Sequence, residues 1–219
     1  MAGGKGKRLG SGGVEKPLLA FRGRPLIAHV LSALNASQVE RVVTVTSPRT
    51  PCTTLWAREA NLEVARAPGH GYIEDYSWAS KRLGLEGPIL IISADLPLVD
   101  CHLIDRIIAR HAEIQSPALG VYLPYEFCEE AKVTSDCAFQ FDTQLLVPTG
   151  INIIDSSYLG HWQPEAEFIV REKSLLCNIN TRSDLRRLIR TASVFDEGPI
   201  HSAKASGFCA PQDLQERMR

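Results

Sequence analysis

The apolar positions of this chain fall into two rhythms that alternate along its length. Leu26, Ile27, Val30, Leu31 and Leu34 recur at helical spacing behind Pro25, a residue suited to a first helical turn. Val42, Val43 and Val45 then crowd 39–46 into a buried strand that Ser47-Pro48 ends. A short helix over 54–60 and a strand over 62–67 follow, then a turn at Gly69-His70-Gly71. Ile73, Tyr76, Ser80 and Leu83 mark one face of the next helix. The stretch 88–94 is nearly all apolar, as strands buried on both faces of a parallel sheet are, and Asp95 stands directly at its end. Asp100 predicts an N-cap for a helix with the stripe Leu103, Ile104, Ile107 and Ile108. The stretch 118–123 reads as a strand. Residues 125–144 lack a period and read as an excursion, and 145–155 returns as a strand broken at Pro148-Thr149-Gly150. A short strand over 175–179 leads to the capping box Thr181-x-x-Asp184 and a helix bearing Leu185, Leu188, Ile189 and Ala192.

Strands alternating with helices predict an α/β fold, a three-layer α/β/α sandwich with a mostly parallel sheet. The pattern fills residues 1–192 as one domain. Residues 193–219 carry Gly, Pro, Ser and charge without a stripe and are expected to be a loosely held tail whose deletion changes little. The 219 residues are enough to bury a core without covalent staples. Lys and Arg number 24 against 25 Asp and Glu, a net charge of −1, which argues against bulk nucleic-acid binding but not against a small phosphorylated ligand. No run approaches the ~20 apolar residues of a membrane span. The six cysteines include no Cys-x-x-Cys pair, so no zinc or redox motif is spelled out, and scattered thiols without an export signal suit the cytoplasm.

Three places at predicted strand ends, where open α/β sheets bind ligands, carry candidate chemistry. The first is the loop Ala2-Gly3-Gly4-Lys5-Gly6-Lys7-Arg8-Leu9-Gly10, with Glu15-Lys16-Pro17-Leu18 soon after. Its glycines let backbone N–H groups approach phosphate oxygens, and Arg8 and Lys16 add charge; a flexible basic segment reads the same way from composition. It is neither a Walker loop nor the dinucleotide fingerprint, because Gly-Lys-Ser/Thr is absent and Leu9 stands at the third glycine position. The second is Asp95, placed to hold a hard cation such as Mg2+ against phosphates, or to cap a turn. The third is the pair Gly150-Ile151-Asn152 and Asn178-Ile179-Asn180, polar amides at the ends of apolar strands. His29 lies among apolar helix positions and reads as structural, while His70 lies between two glycines near the presumed ligand.

The first motif, Ala-Gly-Gly-x-Gly-x-Arg followed by Glu-Lys-Pro-Leu, resembles the signature of nucleotidyltransferases of the molybdenum-cofactor guanylyltransferase kind. Gly71-Tyr72-Ile73-Glu74-Asp75, Pro148-Thr149-Gly150-Ile151-Asn152 and Asn178-Ile179-Asn180-Thr181 look most like the archaeal type of GTP:adenosylcobinamide-phosphate guanylyltransferase. Lys7 and Leu9 depart mildly from the pattern, which has Thr and Met there. The resemblance implies a nucleotide-diphospho-sugar-transferase type of sandwich, GTP and a phosphorylated corrinoid as substrates, and Mg2+ as the cofactor. It implies a triphosphate cradle of Gly3, Gly4 and Gly6, with Ala2, Lys5, Gly71 and Asp75 also on the nucleotide. Arg8 falls on the β,γ-phosphates and Lys16 on the α-phosphate. Asp95 falls on the metal, with Asn178 or Asn180 as a second ligand, and Gly150 and Asn152 on the acceptor. A molybdenum cofactor guanylyltransferase, another enzyme of the superfamily and a non-catalytic GTP-binding regulatory module stay as alternatives, and a homodimer stays open. The resemblance also implies a buried strand ahead of the glycine loop. The sequence opens at the loop itself, so an upstream segment, the tail or another segment would fill that place.

Overall fold

The computed structural model describes residues 1–4, 14–133 and 137–177. A hairpin of β1 (Ala20–Phe21) and β2 (Arg24–Pro25) turns at Arg22-Gly23, both at positive φ as a tight two-residue turn requires. It feeds α1 (Leu26–Asn35), whose predicted stripe is buried. Next come β3 (Thr44–Thr46), α2 (Pro51–Glu59), β4 (Val64–Arg66), α3 (Tyr72–Leu83), β5 (Pro88–Ile92) and α4 (Cys101–Glu113). The chain continues through β6 (Ala118–Pro124), α5 (Tyr125–Glu130), β7 (Phe139–Phe141), β8 (Gln144–Asp155) and β9 (Glu165–Ile169).

The strands run in the order β4-β3 and then β5-β8-β6-β9, with β7 paired to β8. β3 and β4 are parallel, as are β6 and β9, whereas β8 is antiparallel to β5, β6 and β7. Following the pairings, β8 alone opposes the common direction of the larger sheet, so the mostly parallel sheet is as expected. Val30, Leu34, Ile104, Ile107 and Phe127 from α1, α4 and α5 pack with Leu119, Ile151 and Ile153 on one face. Trp56 and Ala57 of α2 join Ile27, Ala28 and Leu31 of α1, while Ala79 and Leu83 of α3 cover Val45 and Ala65 from the other face. Helices on both faces of a sheet make the three layers.

Some elements differ from their expected form. Asp100 does cap α4, its Oδ1 accepting the Leu103 N–H at 2.8 Å. The excursion 125–144 holds α5 and β7, a helix and an edge strand too short to show a period. The break at Pro148-Thr149-Gly150 is instead a bulge inside one continuous strand, β8. The Thr149 hydroxyl donates to Val121 O at 2.8 Å and thereby occupies a carbonyl that the bulge takes from the ladder. Residues 173–177 form a 3-10 turn, not the start of a strand. The helix expected after Thr181 and the tail lie outside the described residues.

The strand expected over 39–46 pairs only at Thr44–Thr46. Among the described residues its other edge faces a gap in the sheet. At the carboxyl end of that gap Met1 and Ala2 bridge the two halves. The Met1 ammonium donates to Ile92 O at 2.6 Å, Ala94 N–H donates to Met1 O at 3.0 Å, and Ala2 N–H donates to Val45 O at 2.8 Å. Behind them lies a cavity of about 660 Å³ whose walls include Val30, Leu34, Val43, Ala79, Leu83 and Leu90.

Candidate active site

The carboxyl ends of β3, β4 and β5 converge on residues 1–4. Gly3 lies against Ser47, where a Cβ would meet Ser47 Cβ at 3.1 Å, and Ser47 Oγ donates to Gly3 O at 2.8 Å. Gly69, at φ +83°, abuts the same serine from the other side. Two loops are therefore packed on Ser47, which is fully buried. Gly4 has open space around it, so the backbone beyond Gly3 is exposed to an approaching ligand.

Lys16 follows in a single 3-10 turn, Lys16–Leu18, rooted by the buried Pro17 and Leu18. Its ammonium reaches across to Asp95 Oδ2 in a short ion pair, with 16% and 13% of the two side chains exposed. The other carboxylate oxygen, Asp95 Oδ1, is buried and has no hydrogen-bond partner among the described residues. An anionic oxygen left in that condition is unfavourable unless a cation or donor completes it. Among the described residues no group of three or more His, Cys, Asp or Glu gathers, so a dedicated protein cage for a metal is absent there. A single carboxylate that shares its cation with phosphates is the arrangement Mg2+ accepts.

Glu15, beside Lys16, has a role the sequence did not disclose. Its carboxylate accepts from Cys52 N at 2.8 Å, Thr53 N at 2.7 Å and Thr53 Oγ1 at 2.6 Å. It caps α2 from 37 residues away, where Thr50 offers no side-chain cap. This contact fixes the far end of the glycine loop to the scaffold. Glu15→Ala is expected to destabilise the protein by about 1–2 kcal/mol, read as a lower urea midpoint at unchanged slope.

The wall on which the acceptor was expected, around Gly150 and Asn152, is built on β5, β8 and α3. Ser93 N–H donates to Gly150 O at 3.0 Å, and Gly150, at φ +81°, has its α-carbon so near Ser93 that a Cβ would lie 3.1 Å from Ser93 Cβ. Gly150 thus acts through its backbone shape. Asn152 sits in register between Ile91 and Gly120, and its side chain hydrogen-bonds the Tyr72 hydroxyl. That hydroxyl also feels Tyr76 and Asp95, and desolvation, set against the Asn152 bond, raises its pKa above the usual phenol range. In the sequence Tyr72 stands only as part of the Gly71–Asp75 motif with no role of its own, because a tyrosine opening a helix has no distinctive spacing.

Gly71 stands at the N-cap position of α3, and its carbonyl accepts the Asp75 N–H. Asp75 is buried, with Oδ1 accepting from Gly69 N at 2.8 Å and His70 N at 3.1 Å. Its visible work is to hold the Gly69-His70 turn, while Glu74 is the exposed acid of the pair. Lys5, Gly6, Arg8, Asn178 and Asn180 lie outside the described residues. The structure therefore brings together Ala2, Gly3, Gly4, Lys16, Asp95, Gly150 and Asn152 around the carboxyl ends of β3 and β5.

The MobA-like NTP transferase domain matches residues 1–146. The chain belongs to that family. An adenosylcobinamide-phosphate guanylyltransferase of Methanocaldococcus jannaschii is 35% identical over 85% of this chain and 92% of its own. A probable molybdenum cofactor guanylyltransferase of Thermococcus kodakarensis is 25% identical over 86% of this chain and 91% of its own. The fold is shared with the solved molybdopterin-guanine dinucleotide biosynthesis protein A of Archaeoglobus fulgidus, at TM-score 0.61 and 19% identity over 88% of this chain and 96% of that one. It is also shared with a CMP:2-keto-3-deoxy-manno-octonic acid synthetase, at TM-score 0.64 and 12% identity over 86% and 96%. This MobA-like nucleotidyltransferase has no helix among its described residues long and apolar enough to cross a membrane.

Proposed function

We propose that this MobA-like protein transfers GMP from GTP to adenosylcobinamide phosphate, giving adenosylcobinamide-GDP and pyrophosphate in cobamide nucleotide-loop assembly. The observation that carries the reading is the Lys16–Asp95 pair, with its unpartnered Oδ1, at the root of a glycine loop. The relationship to the Methanocaldococcus protein supports the choice of acceptor. The acceptor is a phosphate monoester with a second pKa near ~6, mostly dianionic at neutral pH, so no general base is required. Its oxygen forms a bond to the α-phosphorus as the α–β bridging bond breaks, and the electron pair of that bond leaves on pyrophosphate.

The chain's task is alignment and charge compensation. Backbone N–H groups of the loop that starts at Gly3 would hold the triphosphate, and Lys16 would transfer its contact from Asp95 to the α-phosphate. Arg8 would meet the β,γ-phosphates. Mg2+ would be held by Asp95 with Asn178 or Asn180, where it supplies positive charge to the nucleotide. Asn152 and Tyr72 would donate to the incoming phosphate. The scattered thiols support the cytoplasm as the place of action.

Pyrophosphate release from each nucleoside triphosphate, with and without adenosylcobinamide phosphate, tests the reading. Release that needs GTP and this acceptor together is the expected result. Release with molybdopterin instead would favour the activity in the name of the Thermococcus relative, and GTP binding without release under any acceptor would point to a regulatory module. Tyr72→Phe is expected to raise the KM for the acceptor about tenfold, through loss of one hydrogen bond to a charged group, while leaving the Kd for GTP in place. Steady-state titration of each substrate separates the two effects.

A further inference from the structure

Two glycines in a row let a backbone approach a ligand, but they leave the peptide between them free to turn. Something outside the pair has to set which way the Gly3–Gly4 amide faces. Gly3 runs directly against Ser47, whose Cβ leaves no room for a Cβ on the glycine. Ser47 Oγ lies 2.8 Å from Gly3 O and 3.1 Å from Arg49 N. The Arg49 N–H can only donate and the Gly3 carbonyl can only accept, so the single hydroxyl proton goes to Gly3 O. Ser47 is fully buried, and bulk water does not compete for that proton.

Ser47 is itself held from several sides. It opens the turn Ser47-Pro48-Arg49-Thr50, which the Thr50 N–H closes on Ser47 O at 3.0 Å, with Pro48 at the position where its fixed φ suits such a turn. The Ser47 N–H donates to Thr50 Oγ1 at 3.2 Å. Gly69 packs on the other side, and its own N–H is taken by Asp75 Oδ1 at 2.8 Å. The hydroxyl therefore stands on a rigid frame and has one direction in which to donate.

A trans peptide is planar, and its C=O and N–H point in opposite directions. The described residues contain no cis peptide. Fixing Gly3 O on Ser47 thus turns the Gly4 N–H away from Ser47. Gly4 stands in open space among the described residues, with nothing within 4 Å of the place of its Cβ. We propose that Ser47 is a positioning residue for the nucleotide: by holding Gly3 O it aims the Gly4 N–H at a phosphate oxygen. This rests on the reading that the loop starting at Gly3 holds the triphosphate. Without the hydroxyl, Gly3 O and the Arg49 N–H lose their shared partner and the glycine pair is free to rotate. The amide then meets the anion in only a fraction of the molecules, and the apparent affinity falls by that fraction.

The test follows the Gly4 amide in the full chain. Glycine labelled at nitrogen and carbonyl carbon isolates the two Gly–Gly peptides of the sequence, Gly3–Gly4 and Gly12–Gly13, and Gly4→Ala assigns them. The probes are GTP and inorganic tripolyphosphate. Both are expected to move the Gly4 amide proton downfield in the parent chain. In Ser47→Ala that shift should fall by at least about half and the Kd for GTP should rise about tenfold, the loss of one hydrogen bond to a charged group. Ser47→Cys fills the same space with a weaker donor, should lie between the two, and repeats the comparison if Ser47→Ala does not fold. Thr54→Val controls for a lost buried hydroxyl nearby, since Thr54 Oγ1 bonds Thr46 Oγ1 at 2.9 Å and does not touch Gly3. It should leave the Gly4 shift and the Kd within about twofold of the parent, although it lowers Tm. A Gly4 amide that neither probe moves in the parent would overturn the proposal. So would Ser47 variants that bind GTP like the parent, or a Thr54→Val that weakens GTP as much as Ser47→Ala. Pyrophosphate release that needs GTP and the acceptor, beside an unmoved Gly4 amide, overturns the role of Ser47 alone. A Gly4 shift that depends on Ser47 without any release supports that role and overturns the transfer reading.

Discussion

Asp95→Asn is expected to lower turnover at least a hundredfold, about 3 kcal/mol of transition-state stabilisation, with little change in melting temperature. The substitution keeps the shape of the side chain and removes the charge that both Lys16 and a cation at Oδ1 would answer. Raising Mg2+ should recover only a small part of the rate, because an amide oxygen is a weaker ligand for a hard cation. Near-normal turnover at saturating Mg2+ would remove Asp95 from the catalytic machinery. The folding readout matters here, since removing one member of a mostly buried ion pair leaves the other without its partner charge. A large fall in Tm would mean that the Lys16–Asp95 contact is chiefly structural.

The second large effect is at Lys16. Its ammonium is engaged by Asp95, and under the proposed function the α-phosphate would compete for it. A contact that strengthens as charge builds on the pentacoordinate phosphorus acts on the transition state more than on bound GTP. Lys16→Ala is therefore expected to depress kcat by two orders of magnitude or more and to raise the GTP Kd by less than tenfold. Arg8→Ala, which would remove contacts to phosphates present in both states, should weaken GTP binding as well. Calorimetric GTP binding beside single-turnover rates compares the two variants. Equal losses of affinity with unchanged rates would make both residues general attractors of anions.

The layout of the sheet and the place of the site were legible because each rests on local pattern. The stripe of α1, the apolar run of β5 and the cap at Asp100 need no partner to be recognised. Asp95 was visible as a carboxylate at a strand mouth, and the loop by its glycines. What was hidden depends on contacts distant in sequence. The reverse direction of β8 leaves no mark, because an apolar strand between two neighbours has the same composition in either direction. Strand β9, Glu-Ala-Glu-Phe-Ile, is only partly buried at a sheet edge and alternates too weakly to stand out. Glu15 looked like part of a basic motif, although its carboxylate serves α2, 37 residues on. The strand over 39–46 was overestimated for the opposite reason. Its valines carry strand character, but pairing needs a neighbour, and β4 meets only three of its residues.

The bulge in β8 constrains how this segment tolerates insertion and deletion. Gly120 pairs with Asn152 and Tyr122 with Pro148, so three residues of β8, 149–151, stand opposite Val121 alone. The surplus is two, an even number, and Val147, Ile151 and Ile153 all keep to the same core. Losing a single residue here would turn every side chain on one flank of the bulge to the wrong face of the sheet. Losing two would restore a plain ladder with both cores intact, while erasing the kink that presents Gly150 to Ser93. Length variation at this point is thus quantised in pairs, and a two-residue deletion separates the architecture of the strand from the shape of the wall at Gly150.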